Sequence, residues 1–188
     1  MRIVAGKARG RALKGPKGEG LRPTSDRARQ TLFDVLGQWC EGMRVLDVFA
    51  GTGALALEAI SRGATHAVLV DSGREALKLC RENAEGMGVL PQVEIVSSDA
   101  FQAIDRLKKK GDRFHLVFAD PPYALEAGAK LAAAFGDGAL LEPGARVCIE
   151  HDRREEDVPE TAGVLTRVDQ RKLGDTVISI FAAPAPTT

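Results

Sequence analysis

Hydrophobic and polar positions follow two different periods along this 188-residue chain. From residue 43 onward, short apolar runs alternate with longer stretches in which apolar residues recur at helical spacing. The runs predict β-strands and the longer stretches predict amphipathic helices. The predicted strands cover 44–49, 67–71, 93–97, 114–119 and 145–150, and the predicted helices cover 53–62, 73–86, 100–110 and 125–135. Such alternation predicts an α/β fold whose parallel sheet has helices on both faces.

Both ends of the chain depart from this alternation. Residues 164–171 and 176–181 alternate between apolar and polar around a turn-forming segment, so they predict a β-hairpin rather than another β–α unit. At the N-terminus, 3–5 and 11–14 are short extended candidates on either side of a glycine-containing turn. We therefore expect a small hairpin at each end of the chain.

The segment that follows the first hairpin predicts a helix. Ser25 is a suitable N-cap, and apolar residues continue at helical spacing to about Gln38. We accordingly predict two parts, an N-terminal extension over 1–24 and a main domain over 25–188. The hydrophobic fraction of 44% is that of an ordinary globular protein.

Charge is distributed unevenly between these two parts. The whole chain has 26 basic and 26 acidic side chains, yet residues 1–30 carry nine basic side chains against two acidic ones. That segment has a net charge of +7, which leaves −7 on the remainder. A basic segment attached to a mildly acidic domain predicts contact with a polyanion such as nucleic acid. A solvated basic tail is the alternative.

Cysteine spacing and hydropathy indicate the redox state of the thiols and the cellular location of the protein. Cys40, Cys80 and Cys148 are far apart, and no C-x-x-C pair occurs. We expect reduced thiols, no structural metal and a cytoplasmic location. No apolar stretch approaches the roughly 18 residues of a membrane span, so no membrane partner is predicted. A monomer is expected.

The tetrapeptide Asp120-Pro121-Pro122-Tyr123 directly follows a predicted strand, where open α/β sheets bind ligands. Prolines fix φ and lack an N–H, so the centre of this loop offers acceptors and no donors. A carboxylate, main-chain carbonyls and an aromatic ring suit a planar group that carries an NH2. The loop predicts an aromatic amine as substrate, although a Pro-Pro turn that merely ends a strand would explain the tetrapeptide if it stood alone.

A glycine turn follows the first predicted strand. Gly51 and Gly53 lie between that strand and the next helix, where glycine lets backbone N–H groups approach a ligand. Ala56 replaces the third glycine of the dinucleotide fingerprint. Asp47 before the turn suits a cationic group better than a pyrophosphate, which it would repel. A plain tight turn is the alternative.

Two more aspartates end the second and third predicted strands. Asp71 can accept hydrogen bonds from both hydroxyls of a ribose, and Asp99 can accept from the amine of an adenine. Each aspartate alone could equally be a helix N-cap. Together with Asp47 and the glycine turn, they fit a nucleoside that carries an amino acid rather than phosphates. S-adenosylmethionine matches this description.

The chain resembles class I S-adenosylmethionine-dependent methyltransferases. The segment Phe49-Ala50-Gly51-Thr52-Gly53 resembles their FxGxG motif, and the loop at 120–123 resembles the (D/N)PP(Y/F) motif of enzymes that methylate amines. More narrowly, it resembles the RsmD family of bacterial small-subunit rRNA guanine-N2 methyltransferases over nearly its whole length. The matching segments are 2–6, 9–11, 21–24, Arg27, Arg29, 32–33, 47–51, 54–55, 58–59, 61–64, 99–100 and 120–123.

This resemblance implies a fold, a cofactor and two groups of site residues. The fold would be a Rossmann-like, mostly parallel sheet with an antiparallel last strand and a small basic N-terminal hairpin extension. S-adenosylmethionine would contact Asp47, Phe49, Ala50, Gly51, Thr52, Gly53, Asp71, Asp99 and Ala100. The contact of Asp71 is the least secure, because glutamate is usual at that position in the family. The target amine would be bound by the catalytic residues Asp120, Pro121, Pro122 and Tyr123.

The implied partner is 16S rRNA, within the small ribosomal subunit or an assembly intermediate. The residues that we expect to contact RNA or close the site are Arg9, Arg11, Arg22, Thr24, Arg27 and Arg29. A surface charge without an RNA contact is the alternative for the arginines.

Three other functions compete with methylation of a guanine N2. A DNA adenine-N6 or cytosine-N4 methyltransferase shares the aspartate-proline-proline-aromatic loop, although this chain leaves no segment for a separate sequence-reading domain. A protein-glutamine methyltransferase typically has Asn where this chain has Asp120. A non-catalytic RNA-binding subunit would not require an intact loop and glycine turn.

Overall fold

The computed structural model describes residues 1–16, 26–155 and 157–185, and for Tyr123 it describes the backbone alone. The chain divides into two compact units, Met1–Ala100 and Phe101–Thr188. The predicted boundary between residues 24 and 25 lies outside the described residues.

The first unit contains three parallel strands in the order β3-β2-β1. Its elements are α1 (Asp26–Leu36), β1 (Arg44–Val48), α2 (Ala54–Ser61), β2 (His66–Asp71), α3 (Arg74–Met87), a 3-10 turn (Leu90–Gln92) and β3 (Val93–Ser97). The central strands are apolar and buried, as expected for a parallel sheet. In the parallel register Val48 lies beside Val70, and Asp71 lies beside Ser97. The carboxyl ends of all three strands therefore form one edge.

The second unit contains α4 (Ala100–Lys110, which starts at the last residue of the first unit), β4 (Phe114–Ala119), a 3-10 turn (Tyr123–Leu125) and α5 (Gly128–Phe135). Its remaining strands are β5 (Leu141–Asp152), β6 (Thr161–Ala162), β7 (Leu165–Leu173) and β8 (Thr176–Ala182). The order is β4-β5-β8-β7-β6, with β4 and β5 parallel and the others antiparallel. The predicted C-terminal hairpin is confirmed.

The N-terminal segment forms the predicted antiparallel arm, which we define as residues 1–14. The Ile3 N–H donates to the Arg11 carbonyl at 2.9 Å, and the Leu13 N–H donates to the Met1 carbonyl at 3.0 Å. Only Arg2 and Ala12 form a bridge of the ladder type. Ile3 and Leu13 are buried in a cluster with the apolar faces of α2 and α3, so the arm is packed onto the first unit.

Helix α2 anchors the arm through its only acidic side chain. All eight residues of α2 are buried. Its Glu58 carboxylate accepts hydrogen bonds from the Val4 N–H at 2.8 Å, the Ala5 N–H at 2.9 Å and Arg62 Nε at 2.9 Å. A buried charge is tolerated when it is paired and hydrogen-bonded. Glu58 therefore joins the arm to the core of the first unit.

Ser61 continues this anchor at the end of α2. Its hydroxyl donates to the Ala5 carbonyl at 2.6 Å and accepts from the Ala8 N–H at 2.9 Å. Between these residues Gly6 has φ 81°, and a Cβ there would lie 1.9 Å from the Ser61 carbonyl oxygen. Only glycine allows the arm this close to the helix.

Candidate functional site: a glycine turn and a proline loop

The turn after β1 has the glycines where the sequence predicted them. Phe49, Gly51 and Gly53 have φ values of 64°, 56° and 77°, and Gly53 is the N-cap of α2. A Cβ on Gly53 would lie 2.8 Å from Leu69 Cδ2, whereas a Cβ on Gly51 would find no atom closer than the Phe49 carbonyl oxygen at 4.0 Å. Gly53 is thus required by packing, while Gly51 faces open space.

Asp71 binds this turn directly. At the carboxyl end of β2, its Oδ2 accepts from the Gly51 N–H at 2.9 Å and its Oδ1 accepts from the Gly73 N–H at 2.8 Å. A carboxylate oxygen has two acceptor positions, so each can accept a further hydrogen bond. The structure therefore shows Asp71 in a local role that the sequence did not reveal. Its predicted contact with a ribose stays a prediction.

Asp47 lies beneath the turn, with 2% of its surface exposed. Its Oδ2 accepts from the Ala56 N–H at 3.2 Å, which places negative charge at the start of α2, where the helix dipole favours it. Asp47 helps to fix the orientation of α2. Its predicted contact with a cationic ligand group stays a prediction.

Helix α3 supports the turn from below with two side chains that the sequence analysis missed. Cys80 Sγ lies 3.3 Å from the Gly51 carbonyl oxygen, and Asn83 Nδ2 donates to the Thr52 carbonyl at 3.0 Å. Burial raises the pKa of the Cys80 thiol, and the charges of Asp47 and Asp71 raise it further. The thiol therefore stays protonated and can donate. The signal in the sequence was a polar Asn at an apolar-face position of α3.

The carboxyl end of β3 lies beside the carboxyl end of β2. The Ser98 N–H donates to the Asp71 carbonyl at 3.1 Å. Asp99 is exposed, and Ala100, the first residue of α4, is buried. The predicted cofactor residues of the first unit therefore lie at or just after the carboxyl ends of β1, β2 and β3, as the parallel register requires.

The proline loop follows β4 in the second unit. Asp120 is half-buried, Pro121 is buried and Pro122 is exposed. The Pro122 carbonyl accepts from the Leu125 N–H at 2.9 Å and so starts a 3-10 turn. This turn replaces the first residues of the predicted helix 125–135, which begins at Gly128. The Tyr123 side chain lies outside the described part of the structure.

The predicted RNA-binding arginines differ in exposure. Arg9 and Arg27 are exposed, and Arg11 is exposed with its guanidinium donating to the Gly86 carbonyl. Arg22 and Thr24 lie outside the described residues.

Arg29 corrects one prediction. Its side chain is completely buried, and it donates to the Arg2 carbonyl and to Asp26, and lies 3.9 Å from Glu58. The prediction of an RNA contact for Arg29 is wrong, because its side chain has no exposed surface. It joins α1 to the arm instead.

The described residues, 1–16, 26–155 and 157–185, hold no cluster of three or more His, Cys, Asp or Glu side chains able to bind a metal ion. Within the same ranges, no helix combines the length and hydropathy that crossing a membrane requires.

The strand order within each unit, the glycine turn and the antiparallel C-terminal strands define the class I methyltransferase fold. The fold class predicted from the sequence is confirmed. A structure titled putative methyltransferase yhhF from Escherichia coli has a TM-score of 0.84 and 30% identity, with 99% of both chains covered. An RNA methyltransferase from Salinibacter ruber, solved with S-adenosyl-L-homocysteine, has a TM-score of 0.66 and covers 89% of this chain and 97% of its own, but its 17% identity shows the fold alone.

The chain belongs to the family described as conserved hypothetical protein 95, which it matches over residues 1–182. This is the RsmD family that the sequence resembled. A Bacillus subtilis relative named putative rRNA methyltransferase YlbH is 33% identical over 181 residues, 96% of this chain and 98% of the relative. Ribosomal RNA small subunit methyltransferase D of Escherichia coli K12 is 40% identical over 123 residues, 65% of this chain and 60% of that protein.

Proposed function

We propose that this protein transfers a methyl group from S-adenosylmethionine to small-subunit ribosomal RNA, and that the acceptor is the exocyclic N2 of a guanine. The observation that carries this proposal is the turn between β1 and α2, which Asp71 binds through the Gly51 N–H. The names of relatives that match most of this chain, including one from Haemophilus influenzae that is 31% identical over 81% of it, support rRNA as the substrate.

The residues of the first unit fit the proposed cofactor. Gly51 leaves open space beside the turn, and Asp71 has acceptor positions left for ribose hydroxyls. Asp99 and Ala100 would bind the adenine of S-adenosylmethionine. Asp47 and the segment 49–53 would bind its amino-acid part. When it is bound, S-adenosylmethionine supplies an electrophilic methyl group on a sulfonium.

The proline loop of the second unit would bind the acceptor. Asp120 would accept a hydrogen from the guanine N2, and the Pro121 carbonyl would accept the other. The amine lone pair is normally delocalised into the ring, so two acceptors favour the tetrahedral form that can attack. The Asp120 charge also stabilises the positive charge that develops on N2. No strong base is needed, because the methylated ammonium is acidic and loses its proton readily.

The proline loop can bind the guanine only after that base has unstacked from its neighbours in the RNA. Enzymes that modify a base commonly flip it into a pocket and stack it on an aromatic side chain. We assign that stacking to Tyr123. Such an interaction is worth about 1–3 kcal/mol per base.

The arm and the start of α1 would bind RNA phosphates through exposed side chains. Arg9, Arg11 and Arg27 remain candidates, and Arg29 does not. Each lysine or arginine that binds a phosphate contributes about 0.7–0.9 to the slope of log affinity against log salt. We expect the double variant Arg9→Gln/Arg27→Gln to lower this slope by about 1.4–1.8 for small ribosomal subunits. The pair Arg106→Gln/Lys109→Gln, two exposed positions on α4, is the matched control, and an equal slope in both variants would contradict the assignment.

Transfer of labelled methyl tests the whole proposal. Small ribosomal subunits from a strain that lacks the modification are incubated with the enzyme and S-adenosylmethionine carrying a labelled methyl. We expect label in the small-subunit rRNA, on the N2 of one guanine after digestion and mapping, and no label in subunits from the unaltered strain. Label that appears only in DNA or protein would contradict the proposal, and label at another atom of the rRNA would restrict it to rRNA methylation.

A further inference from the structure

Asn83 of α3 connects the basic arm to the glycine turn. Its side chain is 97% buried, with a relative exposure of 3%. Oδ1 accepts from the Lys14 N–H at 2.7 Å, and Nδ2 donates to the Lys14 carbonyl and to the Thr52 carbonyl, both at 3.0 Å. Both amide hydrogens and the oxygen are therefore used, and one side chain holds two backbone segments that are 38 residues apart in sequence.

The carbonyls of the turn determine where its N–H groups point. Cys80 binds the Gly51 carbonyl and Asn83 binds the Thr52 carbonyl, so both carbonyls face α3. The carbonyl and the N–H of a trans peptide point in opposite directions. The N–H of Thr52 therefore points away from α3. Asn83 fixes the next peptide, whose Gly53 N–H donates to the Ala50 carbonyl at 2.7 Å, so Cys80 orients the Thr52 N–H and Asn83 holds the conformation of the turn.

Both ends of the arm connect to the turn, one through Asn83 and the other by direct contact. Lys14 ends the arm at Asn83, and its Nζ also lies 3.0 Å from Glu82 on α3. Met1 begins the arm, and its Sδ lies 3.9 Å from Thr52 Oγ1. A displacement of the arm at Lys14 breaks two of the three hydrogen bonds of the amide that also holds Thr52. A buried amide that loses its partners is unfavourable, so the two segments should move together.

We infer that Asn83 is a positioning residue that couples cofactor binding at the turn to RNA binding at the arm. This inference rests on the proposed function and adds a regulation to it. A ligand that orders the turn holds the Thr52 carbonyl against Asn83 and so favours the bound position of Lys14. By linkage, RNA that holds the arm raises the affinity for the cofactor by the same factor. The enzyme would then bind its two substrates cooperatively.

The coupling is measured with S-adenosylhomocysteine, which occupies the turn without transferring a methyl group. The affinity of the enzyme for small ribosomal subunits is determined with and without saturating S-adenosylhomocysteine. The proteins compared are the wild type, Asn83→Leu, Asn83→Asp and, as a control, Arg81→Gln at an exposed position of α3. Asn83→Asp keeps the acceptor for the Lys14 N–H and loses both donors, so it tests the inference if Asn83→Leu does not fold.

We expect S-adenosylhomocysteine to raise the affinity for subunits at least about fivefold in the wild type and in Arg81→Gln. In the Asn83 variants the ratio should fall below about twofold, even though each ligand still binds alone. A purely structural role would weaken both affinities and leave their ratio unchanged. A wild-type ratio below twofold, or a wild-type ratio retained in folded Asn83 variants, would overturn the inference.

Hydrogen exchange separates this inference from the proposed function. In the wild type without RNA, S-adenosylhomocysteine should slow exchange of the Lys14 amide at least about fivefold, and in Asn83→Asp it should not. If labelled methyl is transferred to rRNA but Lys14 is not protected, the coupling is refuted and the function stands. If the wild type does not bind S-adenosylhomocysteine, both are refuted.

Discussion

The glycine turn at 49–53 and the proline loop at 120–123 both follow a buried strand at its carboxyl end, yet they are held in opposite ways. The turn has three residues with positive φ and depends on side chains far away in sequence, namely Asp71, Cys80 and Asn83. The loop contains two consecutive prolines, whose rings restrict the backbone locally.

This difference matches the groups that each segment presents. In the proposed function the turn would present a backbone N–H donor, and a flexible glycine backbone keeps that donor in one orientation only if its carbonyls are bound elsewhere. The loop would present acceptors, and proline removes competing N–H donors by its own covalent structure. We therefore expect substitutions around the turn to change affinity and stability together, and substitution of Asp120 to change the chemical step alone.

Asp120→Ala should have the largest effect. In the proposed mechanism it removes the charge that stabilises the developing positive charge on the amine, and loss of one such group typically lowers kcat by about 10²–10³-fold. Affinity for S-adenosylhomocysteine should be unchanged, as measured by calorimetry. Asp105→Ala, an exposed aspartate on α4, is the control. Turnover of Asp120→Ala equal to that of the control would refute the role of Asp120.

Gly53→Ala should have the next largest effect, on stability. Positive φ costs a non-glycine residue about 1 kcal/mol or more, and the Cβ would lie 2.8 Å from Leu69 Cδ2, so overpacking adds about 1–3 kcal/mol. Gly111→Ala has the same φ of 77° with no atom within 4 Å of its Cβ, so it isolates the backbone strain.

Chemical denaturation of the two glycine variants measures this difference directly. We expect Gly53→Ala to lose about 1–3 kcal/mol more of the free energy of unfolding than Gly111→Ala. Equal losses would show that Leu69 moves aside without cost, and that packing does not require Gly53.

Asp71→Asn should weaken both the turn and cofactor binding. An amide NH2 would replace one of two oxygens that now accept N–H groups, so one backbone donor loses its partner at a cost of about 1–3 kcal/mol. Affinity for S-adenosylhomocysteine should fall, while stacking of a guanine base by the proline loop should not. Calorimetry measures the affinity for S-adenosylhomocysteine, and undiminished affinity would refute the role of Asp71 in cofactor binding.

The smallest effect should be a pH dependence that comes from Cys80. Its pKa is raised in the folded protein, mainly by burial, while an unfolded thiol has a pKa near 8.5. Below about pH 8.5 both states are protonated and stability is unaffected. Above it the unfolded state releases a proton that the folded state keeps, so stability falls by about 1 kcal/mol by pH 9.5.

A serine variant isolates this contribution. Cys80→Ser keeps a donor for the Gly51 carbonyl and does not titrate in this range. The free energy of unfolding should therefore fall less between pH 8 and 9.5 in Cys80→Ser than in the wild type. If the free energy of unfolding changed with pH to the same extent in Cys80→Ser and the wild type, Cys80 would ionise equally in the folded and unfolded states. Cys40, whose pKa burial raises to about 11, should add to the slope in both proteins.

Predictions from local patterns agreed closely with the structure. Strand β3, helix α4 and strand β4 have the predicted bounds, because each is a short apolar or amphipathic run with clear polar neighbours. Strand β5 begins at Leu141, four residues before its predicted start, because Pro143 and Gly144 interrupt the apolar pattern. The two-residue strand β6 was not predicted, since so short a pairing has no period of its own.

Predictions about side-chain roles were less complete. Arg27 and Arg29 look alike in the sequence, two basic residues near the start of one helix. Helical geometry turns Arg27 outward and Arg29 inward, where Glu58 and Asp26 surround it. Exposure depends on what packs against each helix face, and the packing partner of Arg29 is the arm.

The sequence by itself determined the order of strands and helices, the glycine turn, the strand-end carboxylates and the proline loop, because each depends on local periodicity or on residues with special backbone preferences. Only the tertiary structure decided that Asp71 binds the turn, that Glu58 anchors the arm, and that Asn83 joins the arm to Thr52. Those contacts join residues that are distant along the chain, and they form only when packing buries polar groups that must then find partners.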